Sequence, residues 1–388
     1  MTVNIASPFG AGLSPSRRQI LKTAPGLIAV AGAISSPVSA QQMSGSSQAG
    51  TQTAMPAPEL QGSNIVGYNL EHEQFPVPEL VQFGADASQA GFGALAYSDH
   101  LQPWQANEGH AGQAWVTLSA VGSQALSSWI GTMVTCPTIR YNPAVVAEAF
   151  ASLSLLYPGR VFLGVGSGEA VNEEAATGYW PPWSERWGRL IEAISIIRAL
   201  WSGEQVQFQG QYYTVNAKLY DPPAQPIPLL TAANGMKSMR LAGQYGDGLI
   251  TDPKTWQQYK TEWQEGANAA GKDPGQMPVM VQQYVVVGDQ SDAQQAAELW
   301  RFLPKAFTTY YNIPSPVEIE QLADQQVPLS QVIAQWVVGT DPSVHINAIN
   351  ELFNSGVSVV EIVSGQPDQQ RVIGFYGDNV LPQFRSPS

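Results

Sequence analysis

The 388-residue chain has a single cysteine, Cys136, and only four histidines. One thiol excludes an internal disulfide framework and any CxxC metal site, and no histidine stands with carboxylates at metal-ligand spacing, so no metal is expected. Cations are also scarce: 18 Lys and Arg face 31 Asp and Glu, a formal charge of -13. Phosphate neutralisation along a nucleic acid needs clustered cations that are missing here. The sequence also lacks a GxSxG nucleophile elbow, a GxxxxGK[ST] phosphate loop and a dinucleotide fingerprint after the first predicted strand, which removes the usual hydrolase, nucleoside-triphosphate and open-sheet dinucleotide readings. With 44% hydrophobic residues against 13% charged, there is ample material for a large core.

The first 40 residues contain no acid. Arg17, Arg18 and Lys22 precede the apolar stretch "APGLIAVAGAI" and the small-residue stretch "SPVSA", the order of an export signal. The paired arginines of "SRRQILK" are those of a twin-arginine leader, which predicts export to the cell envelope or periplasm with the twin-arginine machinery as a partner. Residues 41–63 are rich in Gln, Ser, Ala and Pro and read as a flexible tether. The folded domain is expected over 64–388.

From Asn64 onward, short apolar or β-branched runs alternate with amphipathic stretches. Eight runs read as strands: 64–71, 93–99, 129–135, 161–168, 227–233, 247–251, 279–287 and 357–363. Helical patterns start at Pro143 and at Ser184, the latter read as a cap. Eight such units predict an α/β protein, a (β/α)8 TIM barrel, with a doubly wound open sheet as the rival. In a barrel the C-terminal strand ends share one mouth, and Glu71, Glu73, Asp99, His100, Thr135, Cys136, Gly168, Glu169, Asn234, Gly235 and Lys254 all fall at or just after such ends.

His100, in "AYSDHLQPW", is the first candidate for chemistry, because imidazole exchanges a proton near neutral pH. His110 is a candidate for substrate or solvent contact, whereas His72 and His345 read as surface or packing residues. In "GVGSGEAVNE", glycines allow backbone to approach a flat ring or an anion, and Glu169 is either a helix-dipole partner or an acid. Trp104, Trp115 and the segment "GYWPPWSERW" read either as pocket walls or as packing.

Read together, "SDHLQPW", "TCPTIRYNPAVVAEAFA", "YPGRVFLGVGSGEAVNE" and "SERWGRLIEAI" resemble the luciferase-like superfamily, in its branch of dehydrogenases dependent on the deazaflavin coenzyme F420. The resemblance covers residues 64 to 385. It implies a bacterial luciferase-like barrel, usually a homodimer, that moves a hydride between an alcohol and F420; a reductase running the other way, or an FMN-dependent monooxygenase, are the alternatives. By the resemblance His100 matches the base, Glu169 the acid that protonates the ring, Trp104 the indole at the reaction centre and Glu73 a further active-site carboxylate. Asp99, Val134, Cys136, Ser167, Gly168, Asn172, Asn234 and Gly235 match cofactor positions, with Cys136 standing for Thr and Asn234 for Gly. A non-proline cis bond is expected near Thr132 to Val134.

Sugar-phosphate dehydrogenases of this branch grip phosphate with two lysines and an arginine. Here Lys254 matches one lysine, but Tyr310 and Gln335 replace the other two cations, which disfavours a phosphorylated sugar. "SDHLQPWQANEGH", "VTCP", "LWRF" and "VGTDPSVHI" resemble exported members that oxidise a secondary alcohol on a lipid. A hydrophobic, unphosphorylated alcohol is therefore expected.

Overall fold

A computed structural model describes residues 2–6 and 59–384. Apart from Thr2–Ala6 and residues 59–63, the expected leader and tether lie outside the described residues. All eight predicted runs form strands: β1 Ile65–Leu70, β2 Ala94–Tyr97, β3 Trp129–Thr132, β4 Val161–Val165, β5 Leu229–Ala232, β6 Gly248–Thr251, β7 Val279–Val287 and β8 Val359–Val363. Each pairs in parallel with its neighbours from β8 through β1 to β6, and β7 pairs with both β8 and β6. The sheet therefore closes and the doubly wound alternative is excluded. A separate sheet outside the barrel contains the hairpin strands Gln205–Gln209 and Thr214–Ala217, with Thr2–Ala6 parallel to the first.

Helices lie between the strands as expected, with α1 (Val77–Ala90) after β1 and α2 (Ala114–Gly122) after β2, but one boundary differs. Helix α3 (Pro143–Leu156) is capped by Asn142, whose side chain accepts from the Ala144 amide at 2.9 Å. Helix α5 spans Trp183–Trp201 with Pro182 at its N-cap, so Ser184 lies inside the first turn and is no cap. Proline fixes φ close to the helical value and can lead the chain into a helix without a side-chain cap. Between β7 and β8 the chain inserts α8 (Gln290–Glu298), α9 (Pro316–Gln326) and shorter turns.

Alternating strand positions face inward or outward. Outward residues such as Val360 and Ile362 join the large core under the helices, while Ile65, Ala94, Ala96, Phe162, Leu230, Met280 and Val359 fill the interior. One interior position departs from this apolar rule. Glu361 is fully buried and neither carboxyl oxygen has a hydrogen-bond partner. Its room comes from Gly67 on the paired strand, where an added Cβ would lie 2.2 Å from Glu361 Oε1.

Burial pushes the Glu361 carboxyl from 4.5 up to about 8. Between those values the folded chain holds a proton that the unfolded chain has lost, so this group's contribution to stability falls as pH rises across the window. Glu361→Gln should melt higher than the parent at pH 8.5, by an amount that shrinks as pH approaches 4.5. Melting curves of equal separation at both pH values would count against a protonated Glu361.

Candidate active site

His100 follows β2 by three residues and stands half-buried at the mouth. Its Nδ1 lies 3.0 Å from the Gln102 carbonyl oxygen and 3.4 Å from Glu73 Oε1. Ser98 donates to the other oxygen of Glu73 at 2.7 Å, fixing that carboxylate. On the other side, the Trp104 ring is 5.6 Å from the imidazole at 47°. Glu73, His100 and Trp104 are thus one group.

Two more carboxyls crowd this corner. Glu71 is buried, with Asn69 donating to it, and burial together with the Glu73 charge raises it to about 8. Burial likewise pushes Glu108 well up, although its oxygen caps the Gln105 amide at 2.8 Å. Burial disfavours the charged form of both, and Glu71, at about 8, adds no charge beside Glu73 near neutrality.

Asp99 is spent inside the protein. It accepts from Thr135 Oγ1 at 2.7 Å and from Tyr141 OH and Arg140 Nη2 at 3.2 Å each, and Arg140 also donates to its backbone carbonyl at 2.8 Å. The Arg140 amide donates to Glu173 Oε2 at 2.6 Å, and its Nε lies 3.4 Å from Oε1. Arg140 therefore ties the loop after β2 to helix α4 (Ala170–Thr177), on which Glu173 sits. Burial lifts Glu173 to about 7 even though Arg140 opposes it. Trp115 belongs to this cluster, donating to Thr135 Oγ1 at 3.1 Å and packing 4.4 Å from the Tyr141 ring.

The loop after β4 carries the remaining candidates. Gly168 has φ +82, and a Cβ there would lie 2.7 Å from Cys136 Sγ; the buried thiol in turn meets Thr138 Oγ1 at 3.0 Å. A Cβ at Gly166 would lie 2.7 Å from Val134 Cγ2, and the Met133–Val134 peptide is cis, where the resemblance placed it. Val134, Ser167, Gly168 and Glu169 are all partly exposed. Glycine at 166 and 168 lets this loop pack directly onto Val134 and Cys136, and the partly exposed Val134, Ser167 and Gly168 leave a low surface that fits a flat ring. Asn234 and Gly235, at the start of helix α6 (Met236–Tyr245), are exposed and partly exposed across the mouth. Asn172 is buried; its Oδ1 accepts from the Leu101 amide at 2.8 Å and its Nδ2 reaches Glu169 Oε2 at 3.5 Å, so it braces the His100 loop against the Glu169 loop.

The three expected substrate positions do not converge as a phosphate site. Lys254 is exposed in the first turn of helix α7 (Pro253–Ala269), and Gln335 is exposed and donates to the Gln331 carbonyl at 3.2 Å. Tyr310 is fully buried, with its hydroxyl unpartnered, in an aromatic cluster from the insertion. That cluster reaches the mouth: Trp104 stacks on Phe302 at 5.2 Å, and Phe307, half exposed, meets it edge-on at 5.9 Å. His72 and His345 are buried packing residues and His110 is exposed. Among the described residues, no group of three or more His, Cys, Asp or Glu is arranged to hold a metal.

The luciferase-like monooxygenase family profile matches residues 55–358. This chain belongs to that family. It is 47% identical to the F420-dependent hydroxymycolic acid dehydrogenase of Mycobacterium tuberculosis over 86% of this chain and 91% of the relative. It is 39% identical to the F420-dependent glucose-6-phosphate dehydrogenase of Gordonia bronchialis over 83% and 98%. A solved F420-dependent secondary alcohol dehydrogenase, in complex with an F420–acetone adduct, superposes with a TM-score of 0.78 at 32% identity, over 83% of this chain and 99% of that one.

Sequence reasoning missed Ser98, Arg140 and Glu173, which orient the named residues. Arg140→Met would leave two buried carboxylates without their cation and should cost about 3–5 kcal/mol in urea unfolding. Adding Glu173→Gln should recover part of the loss. No recovery would place the cost in packing alone.

Proposed function

We propose that this protein is an F420-dependent alcohol dehydrogenase of the cell envelope, transferring a hydride from an apolar, unphosphorylated secondary alcohol to the deazaflavin. The observation that carries this reading is the setting of His100. A carbonyl can only accept, so the 3.0 Å contact with Gln102 assigns the hydrogen to Nδ1 and leaves the lone pair on Nε2. That nitrogen takes the hydroxyl proton as the hydride leaves the carbinol carbon. Glu73, 3.4 Å from Nδ1, then steadies the imidazolium, and the Ser98 bond keeps the carboxylate in place.

F420, when bound, supplies the ring carbon that accepts the hydride. Val134, Ser167 and Gly168 would lie under its ring, with Cys136 behind Gly168 and Asn234 and Gly235 at the far rim. Glu169, at the N-cap of α4, holds the proton destined for the ring. Asp99 and Asn172 act through the loops they brace, since their polar atoms are already engaged within the protein.

The substrate class is supported by two features. The Lys254, Tyr310 and Gln335 positions offer no cluster of cations for a phosphate, and the wall beside His100 is Trp104, with the half-exposed Phe307 edge-on to it. The relatives support it too, for the most similar named here acts on hydroxymycolic acid and the superposed one is a secondary alcohol dehydrogenase. Export through the twin-arginine route is supported by Arg17 and Arg18 ahead of the apolar stretch. A homodimer follows from the family likeness.

His100→Ala should lower turnover by roughly a hundredfold or more while F420 affinity stays within about threefold. Turnover close to the parent's would refute the base assignment. Titrating the protein with F420 and FMN side by side, then assaying 2-octanol against glucose 6-phosphate, tests cofactor and substrate; efficient glucose 6-phosphate oxidation overturns the substrate class. Replacing Arg17 and Arg18 by lysines in the full chain should stop appearance of the protein outside the cytoplasm, and unchanged export would remove the leader assignment.

A further inference from the structure

The segment from Trp180 to Trp187 holds a cation that the proposed chemistry does not use. Most arginines among the described residues face a carboxylate: Arg189 meets Glu185 at 2.7 Å, Arg198 meets Asp247 at 2.5 Å, and Arg301 and Arg371 are paired as well. Arg160 has no such partner, but it is saturated by the carbonyls of Gly122, Ala125 and Ser128. Arg186 has neither arrangement.

Arg186 is 3% exposed. Nη1 donates to the Pro181 carbonyl at 2.9 Å and the Tyr311 hydroxyl is a further partner of the guanidinium, while Nε has no partner. Among the described residues no carboxylate comes within ion-pair distance of it. The guanidinium carbon lies over Trp180, 3.9 Å from the ring centre, with the Tyr311 ring at 5.4 Å. Stacking satisfies the faces of a guanidinium and leaves its edge of N–H donors to be filled. A buried cation with part of that edge unfilled is costly unless an anion arrives.

Its position indicates where such an anion would come from. Trp180 donates to Asn312 at 2.9 Å, which ties the segment to the insertion whose Tyr310 packs in the Trp104 cluster. On the other side, the Glu169 carboxyl is near enough to act on Arg186 when ionised. The guanidinium thus sits between the cofactor loop and the aromatic wall.

We propose that Arg186 is an oxyanion receptor at the barrel mouth, taking a carboxylate or phosphate carried by the ligand. Guanidinium binds either group through two parallel N–H···O bonds. That ligand is the cofactor, through its acidic side chain, or the alcohol, through a carboxylate on the same molecule; in naming these two the inference rests on the proposed function.

The test uses the full chain, the parent and two variants, Arg186→Gln and Arg186→Lys, with F420, decanoate and 1-decanol as separate calorimetric titrants. Arg186→Gln should weaken F420 or decanoate at least tenfold and leave 1-decanol within twofold. Loss for F420 assigns the anion to the cofactor, and loss for decanoate assigns it to the substrate. Without ligand, Arg186→Gln should melt no lower than the parent, and added inorganic phosphate should raise the parent's melting temperature but not the variant's. Unchanged affinity for both anions, or a lower melting temperature with the phosphate response intact, overturns the proposal and makes Arg186 structural. If Arg186→Gln does not fold, Arg186→Lys decides: it keeps the charge but loses the paired donors, so affinities within twofold of the parent for both anions refute the receptor. These titrations need no turnover, so failure of the parent to reduce F420 with 2-octanol would count against the proposed function alone.

Discussion

Closure of the barrel by β6 and β7 is the constraint from which the site follows. Val279 pairs with Leu249, Met280 with Ile250 and Val281 with Thr251, and the Leu249 amide reaches the Pro278 carbonyl at 2.9 Å. The approach is close enough that a Cβ on Gly248 would lie 2.5 Å from the same carbonyl. Once that seam forms, no barrel strand keeps an unpaired edge, and eight C-terminal ends are fixed around one opening. His100, Glu169 and Gly235 then face one opening although they come from three separate βα units.

The mouth is held by charges that this closed body shields from water. Arg140 between Asp99 and Glu173 is the main example, because it joins two loops that the strands alone would leave free to vary. Shielding also works against ionisation, so Glu71 and Glu173 shift upward and Glu361, with no partner, shifts as well. The same low polarity shapes the His100 side. With Glu71 and Glu108 both pushed toward the neutral form by burial and Trp104 against the ring, Glu73, 3.4 Å from Nδ1, is the group placed to answer an imidazolium.

Much of the architecture was readable along the chain, since strand runs such as 279–287 and 129–135 carry β-branched and apolar residues between clear turn signals. Their ends were less readable: the run 161–168 stops as a strand at Val165, because the glycines after it turn away, with Gly168 at positive φ. Ser184 looked like a cap by residue type, yet Pro182 starts the helix. Within the site, His100, Glu73 and Trp104 were legible from one short motif and its neighbouring strand end. Asp99 and Asn172 were legible as mouth residues but not as braces, because their partners Arg140 and Leu101 lie 41 and 71 residues away.

The sequence by itself determined the repeating βα pattern, the leader-like composition of the first 40 residues and the set of polar residues at strand ends, all of which depend on local order and spacing. Only the tertiary structure decided which of those polar groups remain available. It engaged Asp99 with three donors, buried Tyr310 in an aromatic cluster, left Lys254 in solvent and kept Arg186 buried without a carboxylate. Such outcomes depend on distance through space and on exclusion of water, and neither is written in the spacing of residues along a chain.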